Sequence, residues 1–146
     1  MSTRVQLYYR LELRQNYHRM SNKTIYSELS YFPIVSEIGK YLDVNVYSRS
    51  REINNKIFSS FTVISHNRSS NLKIINYFDK YPLLSSKYLD YLSFKELIKL
   101  QNENSVTATY LETAVKTRKN FNKTRTTYNW DHLKNGYISF IDPKIL

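Results

Sequence analysis

LKIINYFDKYPLLSSKYLDYLSFKELIKL, residues 72–100, is the stretch on which the fold turns. Leu72, Ile75 and Phe78 fall at helical spacing, and Asn71 just before them is a suitable N-cap. The aromatic pair Tyr77-Phe78 reads as buried. Pro82 has no backbone N–H and cannot continue a helix, so the helix stops before it. Ser85 or Ser86 opens a short turn through Tyr88 and Leu89. Ser93-Phe94-Lys95-Glu96 matches a capping box, and Leu97, Ile98 and Leu100 follow, which predicts a second helix from Ser93. Asp79 and Asp90 flank the proline. Their spacing suits turn caps better than an acid–base pair.

Upstream, residues 4–15 alternate. Val5, Leu7, Tyr9, Leu11 and Leu13 point one way; Arg4, Gln6, Tyr8, Arg10, Glu12 and Arg14 point the other. Period two predicts a strand with one buried face. Its outer face carries Arg and Gln, side chains able to reach base edges and phosphates in a major groove; a plain solvated face is the competing reading. Residues 21–30 read as a loop. From Tyr31 the pattern turns helical, with Pro33 in the first turn and Ile34, Ile38, Tyr41 and Leu42 as the apolar stripe. Gly39 weakens that helix slightly. Val44 and Val46 then alternate with Asn45, Tyr47, Arg49 and Arg51. Asn54-Asn55 marks a turn, and Ile57–Ser65 is the returning strand of a hairpin, with Ile57, Ser59, Phe61 and Val63 on its apolar face.

Downstream, Thr107 or Thr109 opens a last clear helix carrying Tyr110, Leu111, Ala114 and Val115. Residues 116–125 (KTRKNFNKTR) hold Lys116, Arg118, Lys119, Lys123 and Arg125 with no acid. Cations suit a helix C-terminus, and they also suit a phosphate-contacting patch; both readings stand. The pattern fades from Thr126. The predicted order is strand, helix, hairpin, helices, divided into a domain over 1–123 and a C-terminal tail over 124–146.

The net charge of +10 and pI near 9.7 attract polyanions, with nucleic acid first among them. No apolar run is long enough to span a bilayer. With no Cys there is no disulfide, thiolate metal site or thiol nucleophile. His18, His66 and His132 share no ligand spacing, so no metal site is predicted. Two glycines exclude the P-loop and the dinucleotide fingerprint. No serine sits in a nucleophile elbow. The chain has 14 Tyr but only 2 Gly. That bias points to A+T-rich coding rather than to a fold requirement.

Residues 72–100 resemble the C-terminal part of a LAGLIDADG homing endonuclease half-domain, whose pattern is L..II.YFDKYPL..K..DY..WK.L..L. The matches are Leu72, Ile74-Ile75, Tyr77-Phe78-Asp79-Lys80-Tyr81-Pro82-Leu83, Lys87, Asp90-Tyr91, Lys95 and Leu97, with Phe94 where Trp is usual. YRLELRQNYH (9–18), the helix ending IGKYL, and the VNVYSRSR/FTVIS hairpin follow the family's order, so the resemblance covers roughly residues 4–122. It implies an α+β fold: an antiparallel, saddle-shaped sheet with helices packed on one face, lying in the major groove of double-stranded DNA. Arg4, Gln6, Tyr8, Arg10, Glu12, Arg14, Asn45, Tyr47, Arg49 and Arg51 fall where the family's DNA-contacting strands fall. Lys116, Arg118, Lys119 and Lys123 form the accessory basic patch. Lys56 lies near where the family places a basic residue close to the scissile phosphate.

The family cleaves DNA with a Mg2+ ion held by an acid at the end of its name-giving helix. No such string occurs here, so no catalytic acid, metal ligand or cofactor is expected in this chain. The chain begins at what resembles the second strand. The resemblance therefore implies the DNA-binding part of an intron-encoded endonuclease, of mitochondrial matrix location and mitochondrial coding, completed by an upstream or second half-domain. The other implied role is an intron maturase that binds folded RNA without cleavage. No membrane partner is expected.

Overall fold

Alternating apolar residues make the strands. In this computed structural model, which describes residues 5–16, 30–103 and 107–137, β1 is Tyr9–Arg14, β2 is Val46–Ile53 and β3 is Lys56–Ser65. All pairing is antiparallel, in the order β1-β3-β2. The chain joins helices to this three-stranded sheet, so its fold class is α+β. The predicted first strand is shorter than its alternation, because residues 5–8 stand outside the ladder. The β2–β3 connection is the expected two-residue turn. Asn54 and Asn55 both have positive φ, 52° and 57°, the primed geometry that matches strand twist. Asp43 and Asn122 also adopt positive φ, and no glycine does. In a glycine-poor chain, Asp and Asn take the left-handed positions because their short side chains tolerate them best.

The residues divide into two compact units. The first, Tyr8–Ile74, holds the sheet and helix α1 (Phe32–Leu42). Pro33 sits in the first turn of α1, where a missing N–H costs nothing. The buried stripe is Val35, Gly39 and Leu42, not the expected Ile34 and Tyr41, which are exposed. Gly39 decides this. A Cβ there would stand 3.0 Å from the Val44 carbonyl oxygen and 3.0 Å from Val46 Cγ2. A Cβ would crowd the chain at Val44 and Val46, so the residue that weakens the helix locally lets α1 pack close to β2. Val35 and Val63 are fully buried there, and the Phe32 and Phe61 rings meet at 5.4 Å.

Helix α2 (Arg68–Lys80) crosses the boundary between the units. Its cap is Asn67, not Asn71: the Ser70 N–H donates to Asn67 Oδ1 at 2.8 Å. Asn71 is buried and accepts from the Ser65 hydroxyl at 2.8 Å, a polar pair that satisfies itself at the end of β3.

The second unit joins residues before Tyr8 to those from Ile75 onward. Helix α3 (Lys87–Glu103) is continuous through the supposed capping box. Ser93 instead donates back to the Leu89 carbonyl. The stripe Tyr91, Phe94, Leu97, Ile98 is already in helical phase before Ser93, and its burial outweighs the local cap signal. The pair Tyr77-Phe78 is only partly covered. The buried aromatic is Tyr91, whose hydroxyl donates to the Ile75 carbonyl (3.0 Å) and Asp79 Oδ1 (2.6 Å). Burial and the Asp79 carboxylate push that phenol's pKa up. Asp79 also takes Lys95 Nζ at 2.7 Å, so it ties α2 to α3 rather than capping a turn.

Helix α4 (Ala108–Lys119) starts at Thr107, whose Oγ1 accepts from the Tyr110 N–H. Leu97, Tyr110 and Ala114 form its core with α3, and Val5 and Leu7 pack against them. Val115 is exposed. Beyond the 3-10 turn Asn122–Thr124, Arg125 donates through Nε (3.0 Å) and Nη2 (2.9 Å) to Asp90 Oδ1. Asp90 also accepts from the Asn122 N–H and Lys87 Nζ. Both Asp90 and Arg125 side chains are nearly covered. The residues read as a tail from 124 thus begin with an anchor to α3 and continue into helix α5 (Asp131–Tyr137). Arg4 and residues 138–146 lie outside the described residues.

Replacing Gly39 by Val is expected to cost more than about 2 kcal/mol, through overpacking against a backbone oxygen, read as a lowered urea midpoint. Arg125→Ala is expected to cost about 3 kcal/mol, because it strips a buried carboxylate of its main partner. Burial raises the Asp90 pKa, but the Asn122 N–H, Arg125 and Lys87 outweigh it and hold the group below its ordinary 3.8. A depressed folded pKa gives stability that is present above 3.8 and lost as pH falls through the folded value. Thermal unfolding against pH checks this: Asp90→Asn is expected to flatten the acid limb below about pH 4.

Candidate nucleic-acid interface

The register of β3 against both neighbours sets the outer face of the sheet. Thr62 pairs with Glu12 on one side and Tyr47 on the other. Ser60 pairs with Arg14 and Arg49 in the same way. Arg10 pairs with Ile64, and Arg51 with Phe58. Side chains alternate along each strand, so these residues share the face opposite Leu11, Val46, Phe61 and Val63. Phe61 and Val63 lie against α1, which leaves the arginine face outward within this unit. Two strand spacings separate β1 from β2, about 9.6 Å. That width fits a major groove of about 12 Å.

Four arginines on this face surround one acid. Glu12 is half-buried in the middle. It accepts from the Ser60 hydroxyl at 2.7 Å and from Arg10 Nη2 at 2.6 Å, with Arg51 Nη2 at 3.8 Å. The Ser60 hydroxyl holds its carboxyl below the ordinary value; burial opposes it, and the Arg10 and Arg51 guanidiniums add to the lowering. Glu12 therefore stays ionised and fixes where Arg10 and Arg51 sit. No ion pair is recorded for Arg14 or Arg49 among the described residues, and both are exposed. A face built this way offers donors to phosphates and base edges.

Of the site residues predicted from sequence, the ladder brings Arg10, Glu12, Arg14, Tyr47, Arg49 and Arg51 together. Tyr8 and Asn45 are exposed just before β1 and β2; Gln6 is exposed and outside the ladder. Lys116, Arg118 and Lys119 are exposed in the last turn of α4, and Lys123 is exposed after it; these belong to the helical unit. Arg125 leaves that patch, because Asp90 consumes it. Lys56 is exposed at the hairpin end, opposite Ile53. The sequence reading missed Phe58, Ser60, Thr62 and Ile64, the middle row of the face. The Asn54-Asn55 turn held the signal, since a two-residue turn fixes which β3 residue meets each β2 arginine. Among the described residues no group of three His, Asp or Glu side chains is placed to hold a metal ion. They do not fit a Mg2+ site, and no chemical step is assigned to them.

A family model described as LAGLIDADG endonuclease matches residues 2–98. The intron-encoded DNA endonuclease aI3 of Saccharomyces cerevisiae is 43% identical over 148 residues, covering 94% of this chain. The chain spans about a third (35%) of the length of that curated relative. Among solved structures, the homing endonuclease I-TnaI aligns with a TM-score of 0.59 at 17% identity, over 92% of this chain and 77% of that one. The LAGLIDADG meganuclease I-CpaMI, bound to uncleaved DNA, aligns at 0.55 and 20% identity, over 90% and 37%. The homing endonuclease I-GzeII, in complex with its DNA target, aligns at 0.51 and 18% identity, over 92% and 40%. At these identities the structural likeness shows the fold.

Removing the Ser60 hydroxyl is expected to raise the titration midpoint of the Glu12 carboxyl toward its ordinary 4.5. Carbon-13 carboxyl NMR on Ser60→Ala checks it, and an unmoved midpoint would assign the shift to the arginines instead.

Proposed function

This chain belongs to the LAGLIDADG endonuclease family, and on that premise we propose that it is the DNA-binding part of an intron-encoded homing endonuclease. The outer sheet face docks in the major groove of double-stranded DNA. One observation carries the reading: β3 brings Arg10, Arg14, Arg49 and Arg51 onto one face, while the other face is packed on α1. The DNA-bound state of I-CpaMI and I-GzeII supports it. Arg14 and Arg49 reach base edges or phosphates. Glu12 holds Arg10 and Arg51 in register. Tyr8 and Asn45 contact the flanks of that face; Gln6, Lys116, Arg118, Lys119 and Lys123 belong to the helical unit and are nucleic-acid contacts of that unit. Lys56 keeps the role of a basic residue near a phosphate at the hairpin end.

Cleavage of both strands takes the acidic, Mg2+-holding motif from another segment or a partner half-domain, since the described residues supply no ligand set. β1 and β2 are the edges of the described sheet, and an edge strand is the natural place for such a partner to pair. The intron-encoded yeast relative and the A+T-type composition support a mitochondrial location.

The test is duplex binding against salt. Affinity is expected to fall about a thousandfold between 50 and 200 mM salt for about six phosphate contacts. Arg49→Ala with Arg51→Ala is expected to lower the slope by about 2 if both arginines contact phosphates, or to relax specificity at two positions if both contact bases. An unchanged slope and specificity in that double variant would remove the sheet from the interface. Tighter binding to folded intron RNA than to duplex at matched salt would turn the reading to a maturase.

A further inference from the structure

The helical unit carries a second feature that the sheet does not explain. Tyr128, Trp130 and His132 occupy alternate positions after Arg125, and their rings are nearly parallel. Tyr128 and Trp130 lie 7° from parallel with centroids 6.5 Å apart. Trp130 and His132 lie 26° from parallel at 6.3 Å. His132 then stacks on Tyr88 of α3 at 4.2 Å and 17°. The last pair is in face contact and anchors the series to α3. The other two are spaced too widely for close face-to-face stacking.

The setting of these rings bears on what such a series is for. Tyr128 and Trp130 are same-side residues of an extended segment, which recur about every 6.6 Å, and His132 follows in the first turn of α5. The rings are also left open: Tyr128 is 52% exposed and Trp130 47%, although large aromatics gain most from burial. The Tyr128 hydroxyl donates to the Arg125 carbonyl at 3.1 Å, and the Leu133 N–H donates to the Trp130 carbonyl at 3.0 Å, so the spacing is held by the backbone. His132 Nε2 is buried without a hydrogen-bond partner among the described residues. The surroundings are cationic. Between residues 113 and 134, Arg125 and Lys134 are paired with Asp90 and Asp131, which leaves Lys116, Arg118, Lys119 and Lys123 with no acid among those residues.

We propose that the Tyr128–Trp130–His132 series, anchored by His132 on Tyr88, is a binding site for unpaired nucleobases of a single strand, stacked on its exposed rings, with cationic side chains of the same unit taking the phosphates. Aromatic platforms of this kind accept any base, because every base has a π-face. The site is distinct from the sheet and does not rest on the duplex reading.

Trp130 is the chain's one tryptophan, so its emission reports on the ladder directly. The experiment titrates the full chain with four probes of about 12 nucleotides, within the usual footprint of such sites. They are a single-stranded DNA, an RNA of the same sequence, an abasic DNA strand and a duplex. Both base-bearing strands are expected to quench Trp130, and the abasic strand and duplex to leave it nearly unchanged. The tighter of DNA and RNA identifies the source of the unpaired base. Tyr128→Leu is expected to weaken single-strand binding about tenfold while leaving duplex affinity unaltered. Arg49→Ala with Arg51→Ala is expected to leave the quench intact, so the ladder and the sheet fail or stand separately. Equal quenching by the abasic strand, or no quenching at all, would overturn the proposal, and either result is read on the unmodified protein. Single-strand affinity unchanged in Tyr128→Leu would do the same.

Discussion

The double pairing of β3 is the constraint on which the functional face depends. The side-chain period of a strand is two, so a slip of one residue against β1 or β2 would send that strand's arginines into the core and its valine or leucines into water. The apolar cost of such a slip is large, because Val63 is fully buried and Val35 and Leu42 of α1 are equally enclosed. The register is pinned against β2 by the Asn54-Asn55 turn and against β1 by the Tyr9 N–H, which donates to the Ser65 hydroxyl. Gly39 completes the arrangement by letting α1 come near enough to bury the inner face.

The chain uses its charges in two ways, and burial separates them. Arg125 and Asp90 are both nearly covered and satisfy one another, with Asn122 and Lys87 taking the remaining acceptor capacity. A pair in that setting fixes geometry more than it adds stability, because desolvation offsets much of the attraction. Arg14, Arg49, Lys116 and Lys119 are exposed and retain their capacity for a polyanion. Glu12 stands between the two cases: half-buried among arginines, it places one negative charge on a basic face and in return holds two guanidiniums in place. The net charge of +10 alone could not distinguish these roles.

Several elements were legible in the sequence for direct physical reasons. The alternation of Leu11 and Leu13 with Arg10, Glu12 and Arg14 specified both the strand and its outer face. The Asn54-Asn55 pair specified the hairpin, Pro82 ended α2 in time, and Thr107 capped α4. The errors came where a local signal met a tertiary one. Ser93 carries a correct capping pattern inside a helix that was already running. Asn71 has a good capping side chain that Ser65, distant by six residues, takes for itself. Ile34 and Tyr41 have apolar spacing as regular as that of Val35 and Leu42, and only the close approach at Gly39 selects between the stripes.

What the sequence determined by itself was the kind of element at each position and the face on which its cations would lie, because both follow from periods of two and 3.6 that are written in neighbouring residues. Which residues become neighbours across strands and helices was decided only by the tertiary structure. The middle row Phe58, Ser60, Thr62 and Ile64, the removal of Arg125 from the basic patch by Asp90, and the anchoring of His132 on Tyr88 all join residues whose separation in the chain carries no period. Such contacts depend on packing and desolvation summed over the folded chain, and no local pattern records that sum.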